Sequence, residues 1–555
     1  MSFKALSPTF SVAPQLTAAD IAEAAKMGFR SIVSNRPDSE EPGQPTASDI
    51  SRLAETNGMA FAHVPVVPGK ITSGDADAMR DALEHLPRPI LAFCRSGTRS
   101  ATLWALADAD PNDPAIAIES AKRVGYDLSS IRPALEQRAK ASRPTTYDIL
   151  IVGGGSAGIA TAASLRKRNR KISVAVIDPA ETHYYQPGWT LVGAGVFSPE
   201  QTKHSEASVI PKGVEWIQAA VTGFLPEQNQ VQLADGRIVK YHVLIAAPGI
   251  KLAWDAIPGL AEALGFNGVT SNYRYDLAPY TYRLVREFRR GRALFTQPPM
   301  PIKCAGAPQK AMYLSCNIWS DARVLQNIDV EFHNAGAVLF GVPAYVPALE
   351  KYIERYGIDL RLESKLVAVD GRRRIATLER KTTDGSVERI EQSFDLLHAV
   401  PPQVAPEFVA RSALAGPTGF IEVDPATLQH VRYGNIFALG DAAGTSNAKT
   451  AAAARKQAPV VAVNALAVLE GKQPVADYNG YGSCPLTVER GKIVLAEFGY
   501  GGKLLPSFPG WLIDGTRPSR TAWFLKERLL PPIYWRGMLK GREWMVHPHL
   551  IETPA

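Results

Sequence analysis

The first hundred residues alternate short apolar runs with amphipathic stretches. "TAADIAEAAKMG" spaces its apolar positions three and four apart, which predicts a helix, and "FRSIVSN" behind it predicts a strand. "ASDISRLAETNG" repeats the helical spacing, while "MAFAHVPVV" and "PILAFC" predict two more strands. Helices alternating with apolar strands imply a small α/β unit with a largely parallel sheet over residues 1–110. The polar stretches "ADPNDP" and "EQRAKASRPTT", with a helical segment between them, predict a linker over 111–145.

A new pattern starts at 146. "TYDILIVGGGSAGIATAASLRKRNRKISVAVID" reads as strand, glycine turn, helix and second strand, ending on Asp178. Gly153, Gly155 and Gly158 have the spacing that lets a chain turn tightly and approach a pyrophosphate, and Asp178 stands where a carboxylate can accept a ribose hydroxyl. "VKYHVLIAAPGI" (239–250, with Gly249 in its turn) and "NIFALGDAAG" (435–444, ending in Gly440-Asp441) are the two further signals of an FAD-binding domain. The stretch "GRALFTQPPMPIKCAGAPQKAMYLS" (291–315) lacks the second glycine motif that a nicotinamide cofactor needs. The expected fold class is α/β, with two Rossmann-type dinucleotide-binding folds behind the first unit. Their expected layout is an FAD-binding domain in two parts (146–270 and 395–490), an inserted Rossmann-like domain (271–394) and a C-terminal region (491–555).

Composition narrows the partners. At 555 residues the chain exceeds one core, and 46% hydrophobic with 21% charged residues is ordinary globular composition. A net charge of +7, from 61 basic and 54 acidic residues, is too mild an excess to indicate nucleic acid. Cysteines stand at 94, 304, 316 and 484, with no CxxC pair and no Cys/His grouping, so neither a zinc site nor a disulfide-stapled fold is expected. "MSFKALSPTFSV" lacks the pattern of a secretory leader, and no run of 18 apolar residues occurs. The expected location is cytoplasmic, with membrane contact by a surface route.

Four motifs, "HYYQPGWTLVGAG" (183–195), "CAGAPQK" (304–310), "SNAKTAAAA" (446–454) and "YGSCPLT" (481–487), resemble sulfide:quinone oxidoreductases of the mitochondrial type over about 146–545. The resemblance implies FAD as cofactor, hydrogen sulfide and a membrane quinone as partners, and a peripheral position on the inner face of the cell membrane. It assigns Cys304 and Cys484 as a pair bridged directly or through an extra sulfur. Hydrosulfide would attack Cys484, and Cys304 would become the thiolate that adds to the isoalloxazine. Lys303 beside Cys304 is the expected thiolate partner. Tyr185, Gln186 and Pro187 would lie near the flavin, and Lys449 and Thr450 at its pyrimidine edge, where charge and helix dipole favour the anionic reduced ring. Cys316, in "YLSCNIW", reads as a core residue. The tail "RTAWFLKERLLPPIYWRGMLKGREWM" (520–545) mixes aromatic and basic residues around Pro531-Pro532. That mixture predicts two short interfacial helices, a core-packing tail being the alternative. A homo-oligomer is compatible with all of this.

"FCRSGTRS" (93–100) places Cys94 between a strand and a helix, facing backbone N–H groups with Arg95 and Arg99 nearby. The first 110 residues resemble the phosphatase-like domain fused to metallo-β-lactamase-type hydrolases. A cysteine-dependent phosphatase has Cys-X5-Arg, however, and here the arginine arrives one residue early, leaving Ser100 in that position; Cys-X4-Arg is the rhodanese-type length. No aspartic general acid immediately follows "AHVPVV", where Pro68, Gly69 and Lys70 stand, although Asp75 or Asp77 could reach round. Cys94 is therefore expected to carry sulfane sulfur to a low-molecular-weight thiol or sulfite. A phosphatase or a non-catalytic anion-binding module, joined to an NADH:quinone oxidoreductase, is the alternative.

Overall fold

The computed structural model describes residues 3–67, 69–108, 114–136, 145–382 and 384–551, and the chain forms two compact units, 1–144 and 145–555. In the first unit β1 (Lys4–Ser7), β2 (Phe10–Ala13), β3 (Ser31–Ser34), β4 (Ala60–His63) and β5 (Ile90–Phe93) form one sheet in the order β1-β2-β5-β3-β4. All neighbours are parallel except β1 and β2. Strands β2, β3 and β5 are buried throughout, as central parallel strands are. The helices are α1 (Ala18–Lys26), α2 (Ala47–Thr56), α3 (Ser73–His85) and α4 (Thr98–Ala107). The first three open on reciprocal caps, Thr17 with Asp20, Thr46 with Asp49 and Thr72 with Asp75.

The expected linker is corrected here. Helix α5 (Pro114–Arg123) and the turns after it bury Ala117, Ala121, Tyr126, Leu128 and Leu135 in the same core as Phe10, Ile90 and Trp104. Residues 114–135 thus complete the first unit, while 109–113, 137–144, Pro68 and 552–555 lie outside the described residues.

The second unit is built on two main sheets, one mixed and one parallel. In one, β6 (Thr146–Val152) lies between β7 (Val174–Ile177) and β8 (Ile238–Ala246). Strand β8 also pairs with Ile436–Ala438 at its far end, so the motif at Gly440-Asp441 arrives beside the glycine turn that follows β6. Helix α6 (Ser156–Arg168) packs tightly there: a Cβ on Gly158 would lie 1.9 Å from the Gly153 carbonyl oxygen. In the other sheet β9 (Gly291–Gln297) is flanked by Leu396–His398 and Ile328–Asn334, with Val269–Thr270 and Asp359–Leu362 outermost. The inserted sheet therefore takes strands from just outside the expected 271–394 span. Helix α7 (Ala307–Asp321) follows β9, and α8 (Ala451–Leu469) follows the Gly440 motif. Strands β10 (Gly482–Glu489) and β11 (Lys492–Phe498) form an antiparallel hairpin, so the expected boundary at 490/491 falls in its turn.

The tail departs most from expectation. Helical winding continues from Arg520 to Lys540 through Pro531 and Pro532 instead of breaking into two helices. The turns on either side of the prolines are wide, of the i→i+5 kind, which accommodates residues that lack an N–H. Lys526, Tyr534, Met538 and Leu539 are buried, so these expected interface residues belong to the core. Further on, Glu543 pairs with Arg168 of α6 at 2.5 and 2.9 Å and accepts from Ser164 Oγ at 2.7 Å. No helix among the described residues is long and apolar enough to cross a membrane.

Glu543 is 6% exposed, and removing it strands a half-buried guanidinium. Glu543→Ala is expected to lower unfolding stability by about 3 kcal/mol, read from urea denaturation. Arg168→Ala in the same background should recover part of that loss; strictly additive losses would show that the pair contributes nothing.

Candidate active site

Cys304 and Cys484 are brought together from residues 180 apart. Their Sγ atoms are 3.8 Å from one another and both are free thiols. Cys304 sits at φ 51°, a left-handed conformation unusual for a residue with a side chain. Three hydrogen bonds hold it there: its N–H donates to Lys449 O at 2.8 Å, and its carbonyl accepts from Tyr273 Oη at 3.2 Å and from Ala307 N at 2.7 Å. Gly306 is what lets hairpin β10–β11 come close, since a Cβ there would lie 2.6 Å from Cys484 Sγ.

The two thiols are electrically unlike. The Cys484 thiol beside Cys304, the buried Lys310 ammonium at 3.0 Å and the more distant Lys526 together hold Cys304 well below the ordinary cysteine range, against the effect of burial. Cys484 is pushed up, because its hydrogen bond to Cys304 and its burial both keep the proton on it. Burial pulls Lys310 down, but the neighbouring sulfurs outweigh it and its pKa rises. The expected thiolate partner is thus corrected from Lys303 to Lys310; Lys303 Nζ turns to Gln186 Oε1 at 2.7 Å. Lys310 lies in the first turn of α7, where side chains lean toward the helix N-terminus and so back over "CAGAP". Lys526 was not legible at all, since only the folded tail brings it here. Cys316 is fully buried in the core of the inserted domain, and burial pushes its thiol up.

The dinucleotide motifs converge at the carboxyl ends of β6 and β8. Asp178 takes the Gly154 N–H at 2.6 Å and the Ala180 N–H at 2.8 Å, bracing the glycine turn while each oxygen keeps acceptor capacity for a ribose. Gly155 and Gly249 both face open space. Gln457 Oε1 accepts from Gly440 N at 2.8 Å while its Nε2 is buried without a partner, and Trp189 Nε1 and Thr190 Oγ1 of the 183–195 motif are likewise buried and unpaired. Buried donors of that kind fit a polar ligand such as FAD. Lys449 is buried with its amine on Asp441 O (3.0 Å) and Ala443 O (2.7 Å), and burial lowers its pKa to about 8 against the pull of Asp441. Thr450 caps α8 by accepting from Ala453 N. Tyr185 is buried with its ring 4.8 Å from that of Tyr534 at a tilt of 49°, while Gln186 and Pro187 stay exposed.

In the first unit Cys94 is fully buried and its Sγ accepts the Gly97 N–H at 3.1 Å, the expected helix-start environment. Among the described residues no hydrogen bond joins Arg99 to the sulfur. Arg99 donates to Val66 O at 2.7 Å and pairs with Glu40 at 2.9 Å, and Arg36 pairs with the same carboxylate at 2.6 Å. Arg95 is exposed and reaches Glu41. Asp75 is consumed by the cap of α3 and Asp77 pairs with Arg80, which corrects the expectation that either reaches round as a proton donor.

Comparison with known proteins follows the same division. Residues 2–111 match the family described as Beta-lactamase hydrolase-like protein, phosphatase-like domain, and residues 147–285 match Pyridine nucleotide-disulphide oxidoreductase. The chain is 33% identical over 138 residues to the beta-lactamase hydrolase-like protein of Agrobacterium fabrum, which covers 24% of this chain and 32% of that protein. It is 38% identical over 443 residues to the mitochondrial sulfide:quinone oxidoreductase of Dictyostelium discoideum, covering 79% of this chain and 95% of that protein. The crystal structure of the sulfide:quinone oxidoreductase from the hyperthermophilic bacterium Aquifex aeolicus superposes with a TM-score of 0.60 at 19% identity, over 74% of this chain and 98% of that one, and so shares the fold. With a phosphatase-like domain ahead of its flavoprotein disulfide reductase-like fold, this chain belongs to the FAD-dependent sulfide:quinone oxidoreductase family.

Proposed function

We propose that the second unit oxidises hydrosulfide at Cys304 and Cys484 and passes two electrons to a membrane quinone, and that Cys94 carries the sulfane sulfur onward. The observation that carries this reading is the 3.8 Å contact between one thiol stabilised as thiolate and one held protonated. Two S–S bonds of about 2.05 Å bent at a central sulfur span about 3.3 Å, so a bridging sulfur needs only a small closing movement. In the bridged pair the better leaving group is the thiol of lower pKa. Attack therefore falls on the Cys484 sulfur, where a new S–S bond forms as its bond toward Cys304 breaks, releasing Cys304 as a thiolate from a direct disulfide or as a persulfide anion from a pair bridged through an extra sulfur. One negative charge enters with hydrosulfide and one remains on Cys304, facing Lys310. FAD, held by the Gly153–Gly158 turn, Asp178 and Gly440-Asp441, supplies the two-electron acceptor that quinone re-oxidises.

Membrane contact is supported by exposed apolar side chains around the tail. Trp511, Leu512, Phe524 and Leu529 are exposed, and Arg517, Arg520 and Arg528 stand in the same stretch. Phe508 and Ile513 pack with Ala522, Trp523 and Leu525, which joins the 508–513 loop to the start of the helical run. This supports attachment at the surface of anionic lipid on the inner face of the cell membrane.

For Cys94 the charge balance supports sulfur over phosphate. Arg99 is already paired with Glu40, so its guanidinium is not free to clamp a phosphate dianion. The short loop offers a backbone donor to the sulfur itself. Covalent linkage to a persulfide-forming unit raises the effective concentration of the donor, with a low-molecular-weight thiol or sulfite as final acceptor.

Anaerobic sulfide should bleach the flavin of the wild-type holoenzyme, and of Cys94→Ser, but not of Cys304→Ser or Cys484→Ser, while Cys94→Ser should lose sulfur transfer to sulfite. Rapid bleaching by NADH in place of sulfide would reject the main reading. Phosphotyrosine hydrolysis lost in Cys94→Ser, without any sulfur transfer, would reject the second part. Lys310→Met should move the pH midpoint for Cys304 alkylation upward toward the ordinary value of about 8.5, and an unmoved midpoint would remove Lys310 from the account. Phe524→Glu with Leu529→Glu should release the protein from anionic vesicles at unchanged thermal stability; undiminished co-sedimentation would argue against that contact surface.

A further inference from the structure

The parallel sheet of the first unit brings Arg36 and Cys94 to the same edge. Arg36 lies two residues past β3 and Cys94 directly after β5, and these strands are neighbours: Ser34 stands opposite Phe93, and the Asn35 N–H donates to Phe93 O at 2.8 Å. Both residues therefore stand at the carboxyl ends of adjacent strands, where open α/β sheets take their ligands. Arg36 and Arg99 are both buried and converge there on one oxygen. Arg36 Nε donates to Glu40 Oε2 at 2.6 Å, and Arg99 Nη2 donates to the same atom at 2.9 Å. Three more of their nitrogens are engaged, Arg36 Nη1 with Gln15 Oε1 at 2.8 Å, Arg36 Nη2 with Glu41 Oε2 at 2.6 Å and Arg99 Nη1 with Val66 O at 2.7 Å. Two guanidiniums directed at one point make a clamp for an oxyanion, and here a carboxylate of the chain itself fills it. The hydrogen bond from Arg99, and then that from Arg36, hold Glu40 below the ordinary carboxylate range against its burial, so it stays charged at neutral pH. Next to these arginines in the chain, Asn35 Oδ1 and Ser100 Oγ are buried without a partner. Asn35 Oδ1 can only accept, so a hydrogen-bond donor satisfies it and an oxyanion does not.

We propose that Glu40 determines which acceptor Cys94 serves: it occupies the oxyanion seat between Arg36 and Arg99, so that the sulfane sulfur passes to a low-molecular-weight thiol in preference to sulfite. The inference rests on the reading of Cys94 as a sulfur carrier and deepens it. Sulfite must displace a tethered carboxylate to reach the two guanidiniums, whereas the sulfur of a thiol needs neither. Selectivity then comes from a group that opposes the wrong partner. In the transfer step the acceptor thiolate attacks the outer sulfur of the Cys94 persulfide. An S–S bond forms between those two atoms, the bond from the outer sulfur to Cys94 Sγ breaks, and its electron pair leaves on Cys94, whose Sγ faces the Gly97 N–H at 3.1 Å. The outer sulfur keeps its proton, so a thiolate and a persulfide become a persulfide and a thiolate with no outside oxidant or reductant. Glu40 lies on the loop between β3 and α2, and on the same loop Glu41 pairs with both Arg36 and the exposed Arg95. The loop thus closes the seat through two adjacent acids.

The test uses full-length holoenzyme under anaerobic conditions. Cys94 is loaded with inorganic polysulfide, glutathione or sulfite is added, and loss of the persulfide from the Cys94 peptide is followed by mass spectrometry after quenching. Wild type is expected to discharge faster to glutathione than to sulfite. Glu40→Gln, which removes the charge and keeps the shape, should raise the sulfite rate about tenfold and leave the glutathione rate within about twofold. Inorganic phosphate should slow sulfite discharge in that variant and not in wild type. Adding Arg36→Gln to Glu40→Gln should cancel the gain. Glu40→Asp, which keeps the charge and withdraws it by one methylene, should raise the sulfite rate by less, and covers the case in which Glu40→Gln does not fold. A sulfite-to-glutathione ratio unchanged from wild type in both Glu40 variants, or a wild type that prefers sulfite, overturns the proposal. Failure of Cys94 to take up sulfur would instead overturn the sulfur-carrier reading. The seat is then read by calorimetry with inorganic phosphate alone: binding gained in Glu40→Gln upholds a filled oxyanion seat, and its absence removes it.

Discussion

Everything in the second unit depends on two sulfur atoms meeting across 180 residues of chain. The contact is made from the left-handed Cys304, pinned by Lys449, Tyr273 and Ala307, and from a hairpin that comes close only because residue 306 has no side chain. Holding a cysteine at positive φ costs roughly 1–3 kcal/mol, which the surrounding hydrogen bonds must offset. That cost has a chemical return. It sets Cys304 at the start of a 15-residue helix and under Lys310, so two identical side chains acquire opposite tendencies to ionise. An asymmetric pair has a preferred leaving group, and a preferred leaving group gives the reaction a direction.

What could be read from the chain follows the range of each interaction. The strand–turn–helix that starts at 146 is local, and its glycines, strands and Asp178 were all legible. The α/β character of the first unit was legible for the same reason, although α3 was missed because "SGDADAMRDALEH" is polar except for a few positions. The assignment of the thiolate's partner failed because Lys303 is adjacent in sequence while Lys310 is adjacent in space. Helix geometry folds position 310 back over position 304, while the 303 side chain turns to Gln186. The linker was misplaced for a related reason. Alternating small and apolar residues in "PAIAIESAKR" carry little contrast between polar flanks, yet Ala117 and Ala121 one turn apart make a buried stripe.

The loop around Cys94 shows how little a motif fixes without its surroundings. Its spacing put an arginine near the sulfur, and in the fold that arginine bonds Glu40 and the Val66 carbonyl. What reaches the sulfur is a backbone N–H. The arginine is paired with Glu40 and one backbone N–H reaches the sulfur, an arrangement that the Cys-X4-Arg spacing alone did not specify.

The tail draws these lines together. Its composition of aromatic and basic residues suits an interface, and on that composition alone Lys526, Tyr534 and Leu539 looked no different from Phe524 and Leu529. Folding separates them by side. One side carries Tyr534 to the glycine turn and Lys526 to the cysteine strand, and the other leaves Phe524 and Leu529 exposed. Phe524 is 54% exposed and Lys526, two residues on, is 5% exposed. A core residue and a surface residue can therefore alternate within a single turn without any change in composition. The tail is then neither a detachable anchor nor a simple core segment. It joins the strand that carries Cys484 through Lys526 and leaves Phe524 and Leu529 exposed.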